Sequence, residues 1–367
     1  MRLSVKLAVA LGSVLVPGLA AVLLSGIAKA QGMDHHASHS INVSVSPHEL
    51  AGGIAHGAAQ GAVVFLAGLV TFVALVWLPS ARVEDTDHEK AFGLLCRWLW
   101  LLVGLLVVAG MVDLSLYAMR ASGEALSLGL VQEALFDTRV GQLWILRLAL
   151  AILTATTATY AARQLRRPGY WWGAAIVASA LLLMTLTQQS HAVAEGGLFP
   201  IAIDWLHLMA ASVWMGGLLA FPILLIGLFR TTPPEARAEL FGRVVPRFSR
   251  VATLAVMILI LTGLAAALLH IPSLSAMIST SYGRALSIKL WFLIFLLGLG
   301  AQNLRLRGRE PFDSLVRYEL ALAAAIFVAT GFLTSLPPAD AAQPTAEENQ
   351  APSIDQSLRQ PPMPPLP

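Results

Sequence analysis

Histidine is the residue type in this 367-residue sequence whose placement best supports metal chemistry. Imidazole nitrogen binds copper, zinc, nickel and haem iron, and a neutral imidazole just inside a bilayer costs far less than a carboxylate at that depth. Of nine histidines, only His88 falls on the side that the loop charges assign to the cytoplasm. The others fall in outer segments or at the outer ends of apolar segments: His35, His36, His39, His48, His56, His191, His207 and His270. This bias predicts a metal or haem site near the outer surface.

Methionine and cysteine narrow the choice of metal. Thioether sulfur favours Cu(I), and Met184 lies one heptad before His191 on the same helical face. Met209 lies in the same outer half, two residues after His207. Cys96 is the only cysteine, which excludes a disulfide, a zinc ribbon and any two-thiol site. The predicted metal is therefore a copper ion, with these candidate ligands: His56, His191, His207, His270, Met184 and Met209, and His35, His36 and His39 in a leader segment.

Each candidate residue also has a plain structural interpretation. A histidine at a membrane interface commonly bonds water or a loop carbonyl, and a short histidine tract is a weak metal signal by itself. Asp204 precedes His207 by three residues, where it orients the imidazole or, as we favour, caps the start of the helix. Arg147 and Lys289 lie inside apolar segments. We expect them to face the bundle or snorkel, paired with Asp113, Asp137 or a carbonyl; the alternative is that they hold an anionic ligand or tune a neighbouring metal site.

The composition excludes a water-soluble domain. Hydrophobic residues make up 57% of the chain and charged residues 12%, at a mean hydropathy of +0.72, whereas soluble domains carry about 25% charge. The 24 Lys and Arg residues against 21 Asp and Glu residues are spread over short loops, so no nucleic-acid partner is expected. The sequence contains no phosphate loop, nucleophile elbow, zinc-protease helix or dinucleotide motif, so we do not expect an enzyme.

The predicted fold class is all-α, a polytopic bundle of eight transmembrane helices embedded in membrane lipid. Eight apolar segments are long enough to span a bilayer, near 54–78, 92–118, 140–162, 171–190, 204–229, 250–270, 285–304 and 315–336. Lys and Arg concentrate in the loops after the odd-numbered segments. These loops are therefore expected in the cytoplasm, with both mature termini in the periplasm.

Three further segments lie outside the predicted bundle. Residues 1–30 begin with basic residues and end in Ala28-Lys29-Ala30, as a cleaved secretory signal does, although an uncleaved first helix is the alternative. Residues 31–53 form a histidine-containing leader that either collects metal or is simply solvated. Residues 337–367 are rich in Pro, Gln, Ala and Glu and are predicted to form a disordered periplasmic tail.

The bundle contains an internal duplication, with four-helix halves at 54–190 and 191–336. His56 opens the first segment as His207 opens the fifth. Three further matched pairs open the third and seventh segments at identical spacing: Thr138 and Thr280, Gly141 and Gly283, Arg147 and Lys289. Because four helices return the chain to the same side, the two repeats are predicted to share one orientation.

Several stretches of the second half carry a family resemblance: Asp204-Trp205-Leu206-His207, Arg247-Phe248-Ser249-Arg250, Leu261-Thr262-Gly263, and Tyr282-Gly283-Arg284 with Lys289. They resemble the CopD/PcoD copper resistance membrane proteins. The resemblance implies an inner-membrane protein of eight helices that imports copper from the periplasm to the cytoplasm, beside a periplasmic copper-binding protein of the CopC type. It also implies metal-binding roles for His191, His207 and His270, to which the internal repeat adds His56.

Two other functions stay open on the sequence. A b-type haem membrane cytochrome would ligate iron axially through two histidines at equal depth, such as His56 and His207. A copper buffer would bind the ion without moving it. Transport across the bilayer calls for ligands deeper in the membrane, and the sequence offers only Met215, Met257 and Cys96.

Overall fold

The computed structural model describes residues 47–80, 87–164, 169–190, 197–229 and 233–270, with five further residues between 287 and 298. Several predictions lie outside the described residues. These are the signal, the leader histidines His35, His36 and His39, the ligand His191, Lys289, the eighth segment, nearly all of the seventh, and the tail.

The described part of the chain is helical and contains no β-strand. The helices are α1 (Pro47–Phe72), α2 (Asp87–Ser122), α3 (Leu128–Phe136), α4 (Arg139–Arg163), α5 (Tyr170–Thr187), α6 (Leu198–Phe229) and α7 (Pro234–His270). α1 continues through a π-helical stretch, Val73–Trp77, into a last turn, Leu78–Ser80. All but the short α3 are long and apolar enough to cross a membrane, which gives six candidate spans. The all-α membrane class is confirmed, and the count of eight helices stays a prediction.

Helices α6 and α7 begin earlier than the hydropathy pattern predicts. α6 begins at Leu198 and α7 at Pro234, before the apolar segments that start near 204 and 250. The first turns of α7 are polar, so hydropathy does not mark them. Those of α6 are apolar, and the predicted segment simply began too late, at Asp204. The capping role predicted for Asp204 is wrong, because this residue lies well inside α6 rather than at its start.

A helix cap and a close contact explain two residues of the repeated motif. The Thr138 hydroxyl accepts a hydrogen bond from the Gly141 N–H at 3.1 Å, which caps the start of α4. A Cβ on Gly141 would overlap the carbonyl oxygens of Ala134 and Leu135 at the end of α3. The tight turn between α3 and α4 therefore requires a glycine at position 141.

Hydrogen bonds between the long helices gather at two ends of the bundle, as antiparallel neighbours require. One end, here the histidine end, joins His56 to Asp113, Arg147 to Thr185, and His207 to Thr262. The other, here the arginine end, joins Arg243 to the Ser80 carbonyl at 3.0 Å and Arg247 to the Leu75 carbonyl at 2.7 Å. Those predicted copper ligands that the structure describes thus lie at one end.

α1 lies at the centre of the described bundle. The membrane-crossing window of α1 is 78% buried, against 39–44% for those of α2, α4 and α5. α1 crosses α6 at Gly68 and Gly216, where a Cβ on either glycine would overlap the backbone of the other helix. Because α1 opens the predicted first half and α6 the second, this glycine contact joins the two halves.

The motif that begins at Arg247 fastens α7 to its neighbours at the arginine end. The Arg247 guanidinium donates to the Leu75 carbonyl within the π-helical stretch. The Phe248 ring fills the space left by Gly217 and meets the Phe221 ring edge-on, at 5.1 Å between centroids. These motif residues therefore hold helices together rather than contact the histidines.

Candidate metal site at the histidine end

His56 is held between two polar side chains near the start of α1. Its Nδ1 lies 2.8 Å from Asp113 Oδ2 on α2, and its Nε2 lies 3.0 Å from the Gln60 amide nitrogen, one turn further along α1. An ionised carboxylate only accepts hydrogen bonds, so Nδ1 carries the proton and donates. The Gln60 amide then donates to the lone pair of Nε2. This is the tautomer in which Nε2 can bind a metal ion.

His207 on α6 reaches the same state with a different partner. Its Nδ1 lies 2.9 Å from the Thr262 hydroxyl oxygen on α7. That hydroxyl donates its own proton to the Ile258 carbonyl at 2.7 Å, so it accepts from the imidazole N–H. The proton of His207 is therefore on Nδ1 and the lone pair on Nε2, as in His56.

The carboxylate–histidine arrangement is the one that protein metal sites use to orient an imidazole. A partner on Nδ1 fixes the tautomer and the ring orientation, and a carboxylate partner also makes Nε2 a stronger ligand. Asp113 supplies a carboxylate to His56, whereas Thr262 supplies only a hydroxyl to His207. The predicted duplication thus pairs two histidines that have the same tautomer and Nδ1 partners of different acceptor strength.

Arg147 extends the polar cluster around His56 to α4 and α5. Its guanidinium is 5% exposed and donates to the Thr185 hydroxyl at 3.1 Å, the Thr185 carbonyl at 3.0 Å and the Gln189 side-chain oxygen at 2.5 Å. The charge of Asp113 also acts on it. The predicted pairing of Arg147 with a carbonyl is confirmed. The cluster balances a buried cation with a carboxylate, which lowers the cost of placing both in the membrane.

Two glycines lie beside rings at this end of the bundle. A Cβ on Gly110 of α2 would overlap the indole of Trp144. A Cβ on Gly263 of α7 would lie 3.5 Å from His207 Cε1, which is ordinary van der Waals contact. Of these two glycines, Gly110 is therefore the one that makes room for a ring.

The remaining predicted ligands are only partly within the described residues. Met184 on α5 and Met209 on α6 are half-buried, and Met209 packs against the hydrophobic core. His270 is the last residue of α7, while His191 lies outside the described residues. Within the described residues, no three His, Cys, Asp or Glu side chains lie together in a way that could hold a metal ion. The described contacts place His56 and His207 in separate helix pairs, and the four-histidine site stays a prediction.

Four residues of this arrangement were not assigned to it from the sequence: Gln60, Thr185, Gln189 and Thr262. Gln60 lies one turn after His56, a spacing that by itself predicts side-chain contact on a helix. Thr262 stands out in the sequence only as part of the Leu261-Thr262-Gly263 motif. Gln189 follows the end of α5, where the sequence carries no signal of a contact with Arg147.

These observations define a class of protein: a polytopic helical membrane protein that holds imidazoles near one end of its bundle. Two family models match the chain, and together they cover well over half of it. One, described as copper resistance protein D-like, N-terminal domain, matches residues 53–201. The other, described as copper resistance protein D, matches residues 242–333. The chain belongs to the copper resistance protein D family.

Two curated proteins are similar in sequence. Copper transport protein CutJ of Bacillus subtilis (strain 168) is 33% identical over 251 residues, which cover 65% of this chain and 46% of the relative. Copper resistance protein D of Pseudomonas syringae pv. tomato is 26% identical over 211 residues, which cover 55% of this chain and 65% of the relative. The chain thus spans about half the length of the first relative and about two thirds of the second. No solved structure matches the chain.

Proposed function

We propose that this protein is a copper transporter of the bacterial inner membrane that takes copper from the periplasm into the cytoplasm and contributes to copper resistance. The observation that carries the proposal is the shared state of His56 and His207, each with its proton on Nδ1 and its lone pair on Nε2. The names of both relatives, one a copper transport protein and one a copper resistance protein, support copper as the substrate.

The two histidines perform the capture step in this proposal. Copper replaces the Gln60 amide on Nε2 of His56, while Asp113 keeps the ring oriented. His207 offers a second imidazole in the half of α6 that lies toward the histidine end. His191, His270, Met184 and Met209 are the proposed additional ligands, and soft thioether sulfur would favour Cu(I) among them. The leader histidines His35, His36 and His39 are proposed to collect copper, with a CopC-type periplasmic protein as the donor.

The proposed route of copper across the membrane avoids the place where α1 and α6 are in direct contact. That contact is closed at Gly68 and Gly216, where the two backbones touch. Met215, next to the glycine contact, is buried and is the proposed mid-membrane ligand, whereas Met257 is 55% exposed. A path past Met215 therefore runs beside the crossing and not through it.

The alternative of a b-type haem cytochrome gains no support from the family matches, whose descriptions name copper alone. The described contacts turn His56 toward α2 and His207 toward α7, each into its own half.

The test is copper binding by the purified full chain, measured by competition with a coloured Cu(I) chelator. We expect His56→Ala and His207→Ala each to weaken Cu(I) binding, and the double variant His191→Ala/His207→Ala to lose the site. His88→Ala is the matched control, because His88 lies near the start of α2, at the arginine end. Unchanged stoichiometry in the double variant would remove the histidine end from the proposal.

Uptake of copper into sealed vesicles of known orientation then separates transport from buffering. Transport predicts copper accumulation in wild-type vesicles and none in His207→Ala vesicles at equal protein content. Bound copper without any accumulation would identify a buffer.

A further inference from the structure

A second site lies at the arginine end, away from the histidines. α2 and α4 enclose an open cavity of about 890 Å³, lined among others by Gly93, Cys96, Arg97, Thr159 and Arg163. This volume falls within the range of about 300–1,000 Å³ that is typical of small-molecule sites. The Cys96 thiol and the Thr159 hydroxyl both lie at the wall of the cavity.

The cavity lies at the edge of the apolar part of the bundle. In α2, the residues between Arg97 and Asp113 carry no charge, and in α4 the same holds between Arg147 and Arg163. The two helices are antiparallel, with Asp113 near Arg147 at the histidine end, so Arg97 and Arg163 lie at the same depth at the opposite edge. Arginines at that depth reach the level of lipid headgroups.

The charges of the cavity select for an anion. Arg97 and Arg163 both line it, and no acidic side chain is among the described residues that do so. Two cations beside Cys96 disfavour a copper cation there, even though a thiol alone would suit Cu(I). Arginine also binds phosphate through two parallel N–H donors, which favours a phosphate ester as the anion.

The walls of the cavity favour a phosphate that carries an apolar chain. Trp100 and Leu101 also line it and are 43% and 60% exposed, just past Arg97 toward the middle of the membrane. A headgroup phosphate on the two arginines would lay its acyl chains along these apolar side chains. A soluble phosphate would use the arginines and leave this apolar wall bare.

We propose that the cavity between α2 and α4 binds the phosphate headgroup of an anionic phospholipid, held by Arg97 and Arg163. Basic pockets between transmembrane helices bind such headgroups, and each basic residue near the surface adds appreciably to the affinity. The site is independent of the proposed copper function.

The experiment is native mass spectrometry of the full chain in detergent, titrated with phosphatidylglycerol or phosphatidylcholine. We expect the wild type to bind one phosphatidylglycerol tightly. In the double variant Arg97→Gln/Arg163→Gln, the affinity for phosphatidylglycerol should fall by about tenfold or more. The matched control is Arg120→Gln/Arg139→Gln, which removes the same charge from exposed arginines at the histidine end and should bind like the wild type. Equal binding by wild type and cavity variant, or equal binding of both lipids, would overturn the proposal.

A second variant tests the cavity without changing charge. Gly93 lines the cavity, and a Cβ there meets nothing within 4 Å, so Gly93→Leu fills the space and leaves both arginines in place. We expect it to lose phosphatidylglycerol, while Gly104→Leu, also in open space on α2, keeps it. Retention of phosphatidylglycerol by Gly93→Leu would contradict a site inside the cavity.

Competition with glycerol phosphate separates a lipid from a soluble anion. Displacement of the lipid by millimolar glycerol phosphate would assign the arginines to a soluble anion instead.

Discussion

The two histidines that we propose to bind copper each depend on a second residue for their chemistry. Asp113 and Thr262 both accept the Nδ1 proton, so both leave Nε2 with a lone pair. The acceptor strength of a carboxylate exceeds that of a hydroxyl, so Nε2 of His56 should be the more basic nitrogen. The first half is therefore expected to hold copper more tightly than the second.

A prediction about Thr262 tests its positioning role. Thr262→Val keeps the side-chain shape and removes the acceptor for His207 Nδ1, so copper affinity should fall by roughly tenfold or more. Thr262→Ser keeps the hydroxyl and should restore the affinity. The nitrogen chemical shifts of His207 give a direct measure of the tautomer, and a Thr262→Val protein with an unchanged tautomer and unchanged affinity would contradict this role.

The site could be predicted from the sequence only as far as residue types and helix spacing reach. His56 and His207 stood out because metal-ligating side chains are rare inside apolar segments. The hydrogen-bond partners of the two histidines could not be recognised in this way, because Asp113 lies 57 residues from His56 and Thr262 lies 55 residues from His207. Such pairings depend on how two helices rotate about their axes, which periodicity does not determine.

Glycines govern how closely the helices of this protein approach one another. Gly68 and Gly216 let two backbones touch, Gly141 admits the end of α3, and Gly217 admits the Phe248 ring. Other glycines, such as Gly104, lie in open space. Membrane helices associate through close packing rather than through a hydrophobic driving force, so the contact glycines should dominate stability.

A matched pair of glycine substitutions tests this distinction. Gly216→Ala places a methyl group against the Gly68 backbone and should destabilise the protein by roughly 1–3 kcal/mol, the usual cost of overpacking. Gly104→Ala meets nothing within 4 Å and should be neutral or stabilising, since alanine is the better helix former. Thermal unfolding in detergent measures both. Equal midpoints for the two variants would show that the α1–α6 contact is not tight.

Helix positions were the part of the fold most open to prediction. Apolar segments located six membrane-length helices, because a span of lipid demands a long uncharged stretch. The sequence pattern missed α3 because this helix is short and lies in a connection, and it missed the first turns of α7 because they are polar. The first turns of α6 are apolar and were left out of the predicted segment. The π-helical stretch after Gly68 has no sequence signal that we recognise.

The orientation of the whole molecule follows from its charge distribution. Arg163, Arg243 and Arg247 lie at the arginine end. The positive-inside rule therefore predicts that the arginine end faces the cytoplasm and the histidine end the periplasm.

Cysteine labelling tests this orientation. In a Cys96→Ser background, Glu124→Cys places a thiol in an exposed loop at the histidine end, and Glu235→Cys places one at the exposed start of α7. An impermeant maleimide should label position 124 in cells with a permeabilised outer membrane, and position 235 only after lysis. The reverse pattern would invert the topology and with it the proposed direction of transport.

The sequence predicts a duplication but does not determine how the two halves of the molecule pack. Matched residues such as His56 and His207 suggested two halves of equal orientation, and these two make the same kind of hydrogen bond. The packing of the second half also depends on segments seven and eight, which lie outside the described residues. Its symmetry with the first half stays a prediction.

The contact between Gly68 and Gly216 has a mechanical consequence. If the two helices tilted relative to each other, this close backbone contact would be the pivot. Widening the gap between α1 and α6 beside the histidines would then narrow it beside the arginines, and the reverse. A bundle pinned in this way would open toward one side of the membrane only while it closes toward the other.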